Sequence, residues 1–198
     1  IGTNTLISGS NNAGLQVTSG SVIISGGTND KLTTYGAGCA AGIGGGQGGS
    51  GGNITISGGT VTANAGFGGA GIGGGYLGSG GNITISGGTV TANGGIGGAG
   101  IGGGDGGSGG VIEIADGSNV TALSDGNKPA IDDINGDITP TPGTAATILM
   151  ANFSELQPIN TSFEVGTGGT NTFTPAIAYK SIAFLSEDSG YDISLCHL

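Results

Sequence analysis

Side chains able to do acid, base or nucleophilic chemistry are scarce in this chain. Its 198 residues hold 13 Asp and Glu, three Lys, one His and no Arg. Asp132-Asp133 is the formal candidate for the opposed carboxylates of a glycan hydrolase, in which one protonates the leaving oxygen and the other activates water or attacks. The repeat itself has no carboxylate pair, and loop carboxylates of this kind are ordinarily solvated. A polysaccharide lyase needs a strong base, usually Arg or Lys, beside acidic metal ligands, and the chain has only Lys31, Lys128 and Lys180. His197 is the single His and lies at the extreme end, which excludes a His-dependent triad and a multi-His metal site. The expected set of catalytic residues is therefore empty.

Oxygen ligands gather between residues 125 and 137, at Asp125, Asn127, Asp132, Asp133, Asn135 and Asp137. Asp133, Asn135 and Asp137 alternate as the ligands of a calcium loop do, but Ile138 stands where an EF-hand needs Gly and Thr144 where it needs Glu. Calcium on these three residues is the one cofactor the sequence admits, set against an ordinary acidic turn. Gly-x-Gly-x-x-Gly matches arise by chance in so Gly-rich a chain and lack the strand-then-helix setting that gives the motif meaning.

A third feature is a position that varies between otherwise near-identical stretches. After Gly-Ile-Gly-Gly-Gly the chain places Gln47, then Tyr76, then Asp105, while Gly-Ser-Gly-Gly follows soon after each. An amide, an aromatic ring and a carboxylate in file would offer hydrogen bonds and a stacking face to a sugar chain, over roughly 10 Å if the stretches stack as neighbouring strands. Tolerant loop tips also vary in this way.

The elements that position these residues come from an internal repeat. Residues 53–81 reappear as residues 82–110, a period of 29, and traces continue in Gly42-Ile43-Gly44 upstream and Ile112-Glu113-Ile114 downstream. Such periods mark stacked units that bury apolar surface only against their neighbours. Ile-Thr-Ile and Thr-Val-Thr alternate with period two, and no helical spacing occurs. Each unit holds two β-branched strands separated by Gly-Gly at 58–59 or 87–88, then a third arm at Ile72 or Ile101. The expected fold is all-β, a right-handed parallel β-helix with 29-residue coils. Ile54, Ile83 and Ile112 should form one interior column, Ile56, Ile85 and Ile114 another, and Asn53 and Asn82 an amide ladder. Leu15-Gln16-Val17 and Val22-Ile23-Ile24 both fit the first-strand pattern.

Composition bounds the rest. Fifty Gly, 35% hydrophobic residues and 5% aromatics are wrong for a large round core, and the Gly lacks the Gly-X-Y period of collagen. A net charge of −10 leaves little to neutralise phosphates, so nucleic acid is a poor partner. No apolar run reaches the roughly 20 residues of a membrane-spanning helix, so no transmembrane segment is expected. Cys39 and Cys196 lie far apart, which permits a disulfide without implying one. Starting at Ile1 suggests a mature fragment. From residue 140 Gly thins out and four of the five Phe appear, after Thr139-Pro140-Thr141-Pro142-Gly143. The expected division is a β-helix over 1–139 and a C-terminal β cap or small β extension over 140–198.

The strings Gly-Asn-Ile-Thr-Ile-Ser-Gly-Gly-Thr-Val-Thr-Ala-Asn and Gly-Ala-Gly-Ile-Gly-Gly-Gly resemble repeats of large secreted surface proteins of anaerobic, often gut-dwelling bacteria, over about residues 20–125. That group is similar to pectate-lyase-like β-helices, and its members are described as adhesins, carbohydrate-binding modules or glycosyl-hydrolase-like proteins. The resemblance implies a secreted or cell-surface module, part of a larger surface protein, with a polysaccharide or surface glycan as partner. Gln47, Tyr76 and Asp105 are then the expected ligand-binding residues. The alternatives are a polysaccharide-degrading hydrolase or lyase, and an ice-binding protein using the Thr-x-Thr rungs Thr60, Thr62 and Thr89, Thr91.

Overall fold

A computed structural model describes residues 2–115, 118–124 and 128–134, together with the strands at 139–140, 148–152, 161–164, 182–184 and 192–195. The strands are β1 (Thr3–Ile7), β2 (Leu15–Gln16), β3 (Ser21–Ile24), β4 (Lys31–Tyr35), β5 (Ile43–Gly44), β6 (Asn53–Asn64), β7 (Ile72–Gly73) and β8 (Gly81–Asn93). After them come β9 (Ile101–Gly102), β10 (Gly110–Ile114), β11 (Ser118–Ser124), β12 (Thr139–Pro140), β13 (Ile148–Asn152), β14 (Thr161–Glu164), β15 (Ile182–Phe184) and β16 (Asp192–Leu195). The described residues contain no helix, so none is long and apolar enough to cross a membrane.

Pairing is parallel throughout the repeat, and the chain winds as a parallel β-solenoid of about four turns. One sheet runs β1-β4-β6-β8-β11-β13, with β3 against the first half of β6 and β10 against the first half of β8. A second, narrow sheet stacks β2-β5-β7-β9. Each turn therefore passes through both halves of the bent main sheet and once through the narrow one.

Period-two alternation decides which residues face inward. Ile54, Ile83 and Ile112 pair in register, as do Ile56, Ile85 and Ile114, and all six are buried. Val61, Val90 and Val120 stack beside them, and Ile43, Ile72 and Ile101 close the core from the narrow sheet. Burying each Ile is worth about 1.5–3 kcal/mol, and the columns supply that gain in every turn. Asn82 Nδ2 donates to Asn53 Oδ1 at 2.8 Å, the expected ladder. A second ladder, Asn93 Nδ2 to Asn64 Oδ1 at 2.8 Å, was not read from the sequence.

The structure resolves the upstream ambiguity by using both segments. Leu15 pairs with Ile43 in the narrow sheet, while Val22 and Ile24 pair with Ile54 and Ile56 in the main sheet. It also differs from expectation at the Gly-Gly steps. Residues 53–64 form one bent strand rather than two, because the ladder to β8 continues past Ser57 with a register shift on either side. Gly59 and Gly88 take φ of 83° and 87° and make the bend.

Beyond residue 139, β13 adds in parallel to β11, so the main sheet continues past Pro140. β15 then pairs antiparallel with β13, and β14 with β16.

Candidate functional site

The variable position sits on a tight turn that every repeat rebuilds. Gly49 N–H donates to Gly46 C=O at 2.8 Å, Gly78 to Gly75 at 2.7 Å and Gly107 to Gly104 at 2.9 Å. Gln47, Tyr76 and Asp105 are the second residues of these turns. The third residue is Gly48, Leu77 or Gly106, with φ of 72°, 63° and 72°.

Backbone hydrogen bonds run from turn to turn and lock the file in register. Gln47 N–H donates to Asn11 C=O at 3.0 Å, Tyr76 N–H to Cys39 C=O at 2.8 Å and Asp105 N–H to Gly68 C=O at 2.8 Å. Gly48 N–H donates to Tyr76 C=O at 2.8 Å, and Leu77 N–H to Asp105 C=O at 2.7 Å. The three residues are therefore neighbours along the solenoid axis on turns bonded to one another through the backbone.

Missing Cβ atoms beside the file leave room for its side chains. A Cβ on Gly68 would lie 2.8 Å from Tyr76 Cδ2, so the ring lies across that Gly; one on Gly97 would lie 2.8 Å from Asp105 Cγ. The residues just before these Gly are Phe67 and Ile96, which are 57% and 58% exposed. Leu77, at 60%, leans over Gly106 of the next turn. The result is a solvent-facing platform of apolar groups around a half-buried Tyr, with an exposed amide and a carboxylate in the flanking turns. Phe67, Leu77 and Ile96 were missed from sequence, although Phe67 and Ile96 fall at the same place in the two full repeats.

The carboxylates of the acidic stretch are placed elsewhere. Asp132 Oδ2 lies 2.6 Å from Lys128 Nζ, which also donates to Gly107 C=O at 2.6 Å. This half-buried pair clips the next turn to the one carrying Asp105. Asp133 is half-buried and bridges by its backbone to Gly110. Asn135 and Asp137, the other expected calcium ligands, lie outside the described residues, as do Asp125, Asn127 and Cys196. Among the described residues, no group of three or more His, Cys, Asp or Glu is placed to hold a metal.

One carboxylate has a clear electrostatic role. Asp30 accepts N–H bonds from Gly27 at 2.9 Å and Gly2 at 2.8 Å, and these two, Gly27 first, hold its pKa below the ordinary Asp value.

No curated protein and no solved structure matches the chain. The family model described as a beta helix repeat matches residues 54–76 and 83–105, less than half of the chain. The chain is a parallel β-helix protein, similar to that repeat over two stretches that begin on the interior residues Ile54 and Ile83 and end on the platform residues Tyr76 and Asp105.

Proposed function

We propose that this chain is a non-catalytic binding module that holds a glycan on the Gln47, Tyr76 and Asp105 platform. The module works in a secreted or cell-surface setting, within a larger surface protein. The observation that carries the reading is the Tyr76 ring laid over Gly68, flanked by exposed Phe67 and Ile96, on a backbone bonded in both directions along the axis. Sugar rings offer one apolar face and a rim of hydroxyls. An aromatic ring complements the face, while the Gln47 amide and Asp105 carboxylate complement the rim. The platform is an outer surface rather than a deep cleft, so it buries only part of each ring and affinity per site is modest.

Hydrolysis is the weaker reading because it needs two opposed carboxylates across the scissile bond, whereas the Asp132 carboxylate faces the Lys128 ammonium. Pectin-like uronates are also poor ligands, since a carboxylate sits in the file and Lys128 is committed to Asp132 and Gly107.

The test is a glycan array with the purified chain, followed by calorimetric titration of wild type and Tyr76→Ala with whichever neutral oligosaccharide is retained. Losing the ring should weaken binding about tenfold or more. Equal affinities, with folding confirmed by circular dichroism, would remove the platform as the site. Reducing ends released by wild type but not by Asp132→Asn would instead establish the hydrolase.

A further inference from the structure

The main sheet carries a second ordered array, on a different face from the turn platform. Thr5, Thr33, Thr62, Thr91 and Thr121 are paired Cα to Cα across β1, β4, β6, β8 and β11. A five-deep file of one residue type thus crosses five successive strands with no register shift inside this arm. Two residues earlier on each strand stand Thr3, Lys31, Thr60, Thr89 and Asn119. Thr-x-Thr therefore occurs on three strands, one more than the sequence repeat displays, because β1 adds Thr3 and Thr5.

The residues between the two files point the other way. Val61, Val90 and Val120 are buried in the core, whereas the Thr of β6, β8 and β11 are half-buried or exposed; at the end of the sheet all of β1, Asn4 included, is exposed. The face is also nearly uncharged: across both files Lys31 is the only ionised group, in a chain of net charge −10. A neutral face on an acidic protein has no complement in nucleic acid, metal ions or charged peptides.

Its regularity is two-dimensional. Along the file, hydroxyls recur at the strand spacing of about 4.8 Å, and along a strand at about 6.7 Å. Thr is stiff at χ1, so each residue presents its hydroxyl and methyl in a restricted arrangement without the entropy loss of a long polar chain. These two repeats approximate those of the oxygen rows on a prism face of hexagonal ice. We propose that this face binds ice, with the Thr hydroxyls taking lattice positions and the methyls displacing the water between them.

The inference stands apart from glycan binding, because it uses none of the platform residues. Thermal hysteresis and ice-recrystallisation inhibition are measured on the full chain, on Thr62→Tyr, Thr91→Tyr and Lys31→Thr, and on Tyr76→Ala. Tyr suits an outward strand position, so the first two variants should stay folded while their rings stand off the lattice. Wild type should show hysteresis and faceted crystals. Thr62→Tyr and Thr91→Tyr should fall to the level of an inert protein, Tyr76→Ala should match wild type, and Lys31→Thr, which joins Thr3 to Thr60, should exceed it. A folded wild type without hysteresis or recrystallisation inhibition overturns the proposal, as does activity that survives both Tyr variants. Retention on solid cellulose in place of ice, lost in Thr62→Tyr, would overturn it in favour of an ordered glycan surface.

Discussion

Replacing Gly73 by Ala measures how much of the fold depends on backbone meeting backbone. Gly73 lies in the narrow sheet at φ 134°, and a Cβ built on it would fall 2.0 Å from the carbonyl oxygen of Gly102 in the next turn. Nothing in that contact is a flexible side chain, so the oxygen yields only if β7 and β9 move apart, which stretches the Gly74 N–H to Gly102 C=O bond of 2.9 Å. The backbone conformation alone costs an L-residue about 1–3 kcal/mol, and forced overpacking typically adds about 1–3 kcal/mol. A total near 4 kcal/mol is a large share of the roughly 5–15 kcal/mol that stabilises a domain. Gly48→Ala is the control: its φ is 72°, but a Cβ there meets nothing within 4 Å. Leu77 already occupies the equivalent turn position at φ 63°, so the expected cost is about 1 kcal/mol or less once the lower entropy of the unfolded Ala chain is counted. Thermal melts followed by far-ultraviolet circular dichroism should place Gly73→Ala about 10 °C below wild type and Gly48→Ala within about 4 °C of it. Equal melts for the two variants would refute the claim that inter-turn backbone contact, rather than turn geometry, requires the Gly.

Thr34 is fully buried with no hydrogen-bond partner for Oγ1, in the column where β6, β8 and β11 place Ala63, Ala92 and Ala122, so Thr34→Val should raise the urea midpoint by the equivalent of about 1 kcal/mol. Lys128→Met strands the half-buried Asp132 carboxylate and unclips a turn; a loss of about 1–3 kcal/mol is expected, read as faster amide exchange at Ile101 and Asp132, whose N–H groups bond across that junction. Because the folded pKa of Asp30 is depressed, its contribution is present above the unfolded value near 3.9 and is lost as pH falls through the folded value. The protection factor of the Lys31 amide, which donates to Gly2 C=O, should therefore fall in acid below about pH 4 in wild type, while Asp30→Asn should show that lower protection already at neutral pH.

The interior was legible because its chemistry repeats with the chain. Ile54 and Ile83 share both neighbours and spacing, so one period fixes their stacking, and the ladder from Asn53 follows from the same arithmetic. The first turns were harder because their sequences drift while their backbones do not. Thr3-x-Thr5 pairs with Lys31-x-Thr33, and that in turn with Thr60-x-Thr62, through main-chain bonds that depend on no side-chain identity, so nothing in the local sequence announces the five-deep Thr file. Val22 pairs with Ile54 across the longer segment containing Asp30, whose turn to Gly27 absorbs the added residues; no fixed period predicts that. The platform was half visible. Gln47, Tyr76 and Asp105 stood out by differing, whereas Phe67 and Ile96 conform to the apolar character of the repeat and gave no signal. Lys128 and Asp132 lie four apart outside any helix, so their pairing reflects a loop path that spacing does not encode.

The same physics confines where this molecule can do work. A turn that brings its backbone to within a missing Cβ of the next leaves little interior space for a ligand: Gly75 and Gly104 each face a carbonyl of the preceding turn at about the distance of a bond and a half from where a side chain would begin, 2.1 and 2.0 Å. Packed columns of Ile and Val fill the remainder. A binding site of the kind proposed therefore belongs to the outward files and turns, where substitution leaves the ladder intact, as Gln, Tyr and Asp at one position and Thr, Lys and Asn at another demonstrate. Such sites are arrays rather than pockets. Each turn contributes one row, and a ligand with its own repeat gains a row of contacts for every turn it spans, after the cost of orientation has been met once. A repeating ligand, whether a glycan chain on the turn platform or a lattice on the Thr face, is the kind of target for which adding turns raises affinity without adding any new kind of contact.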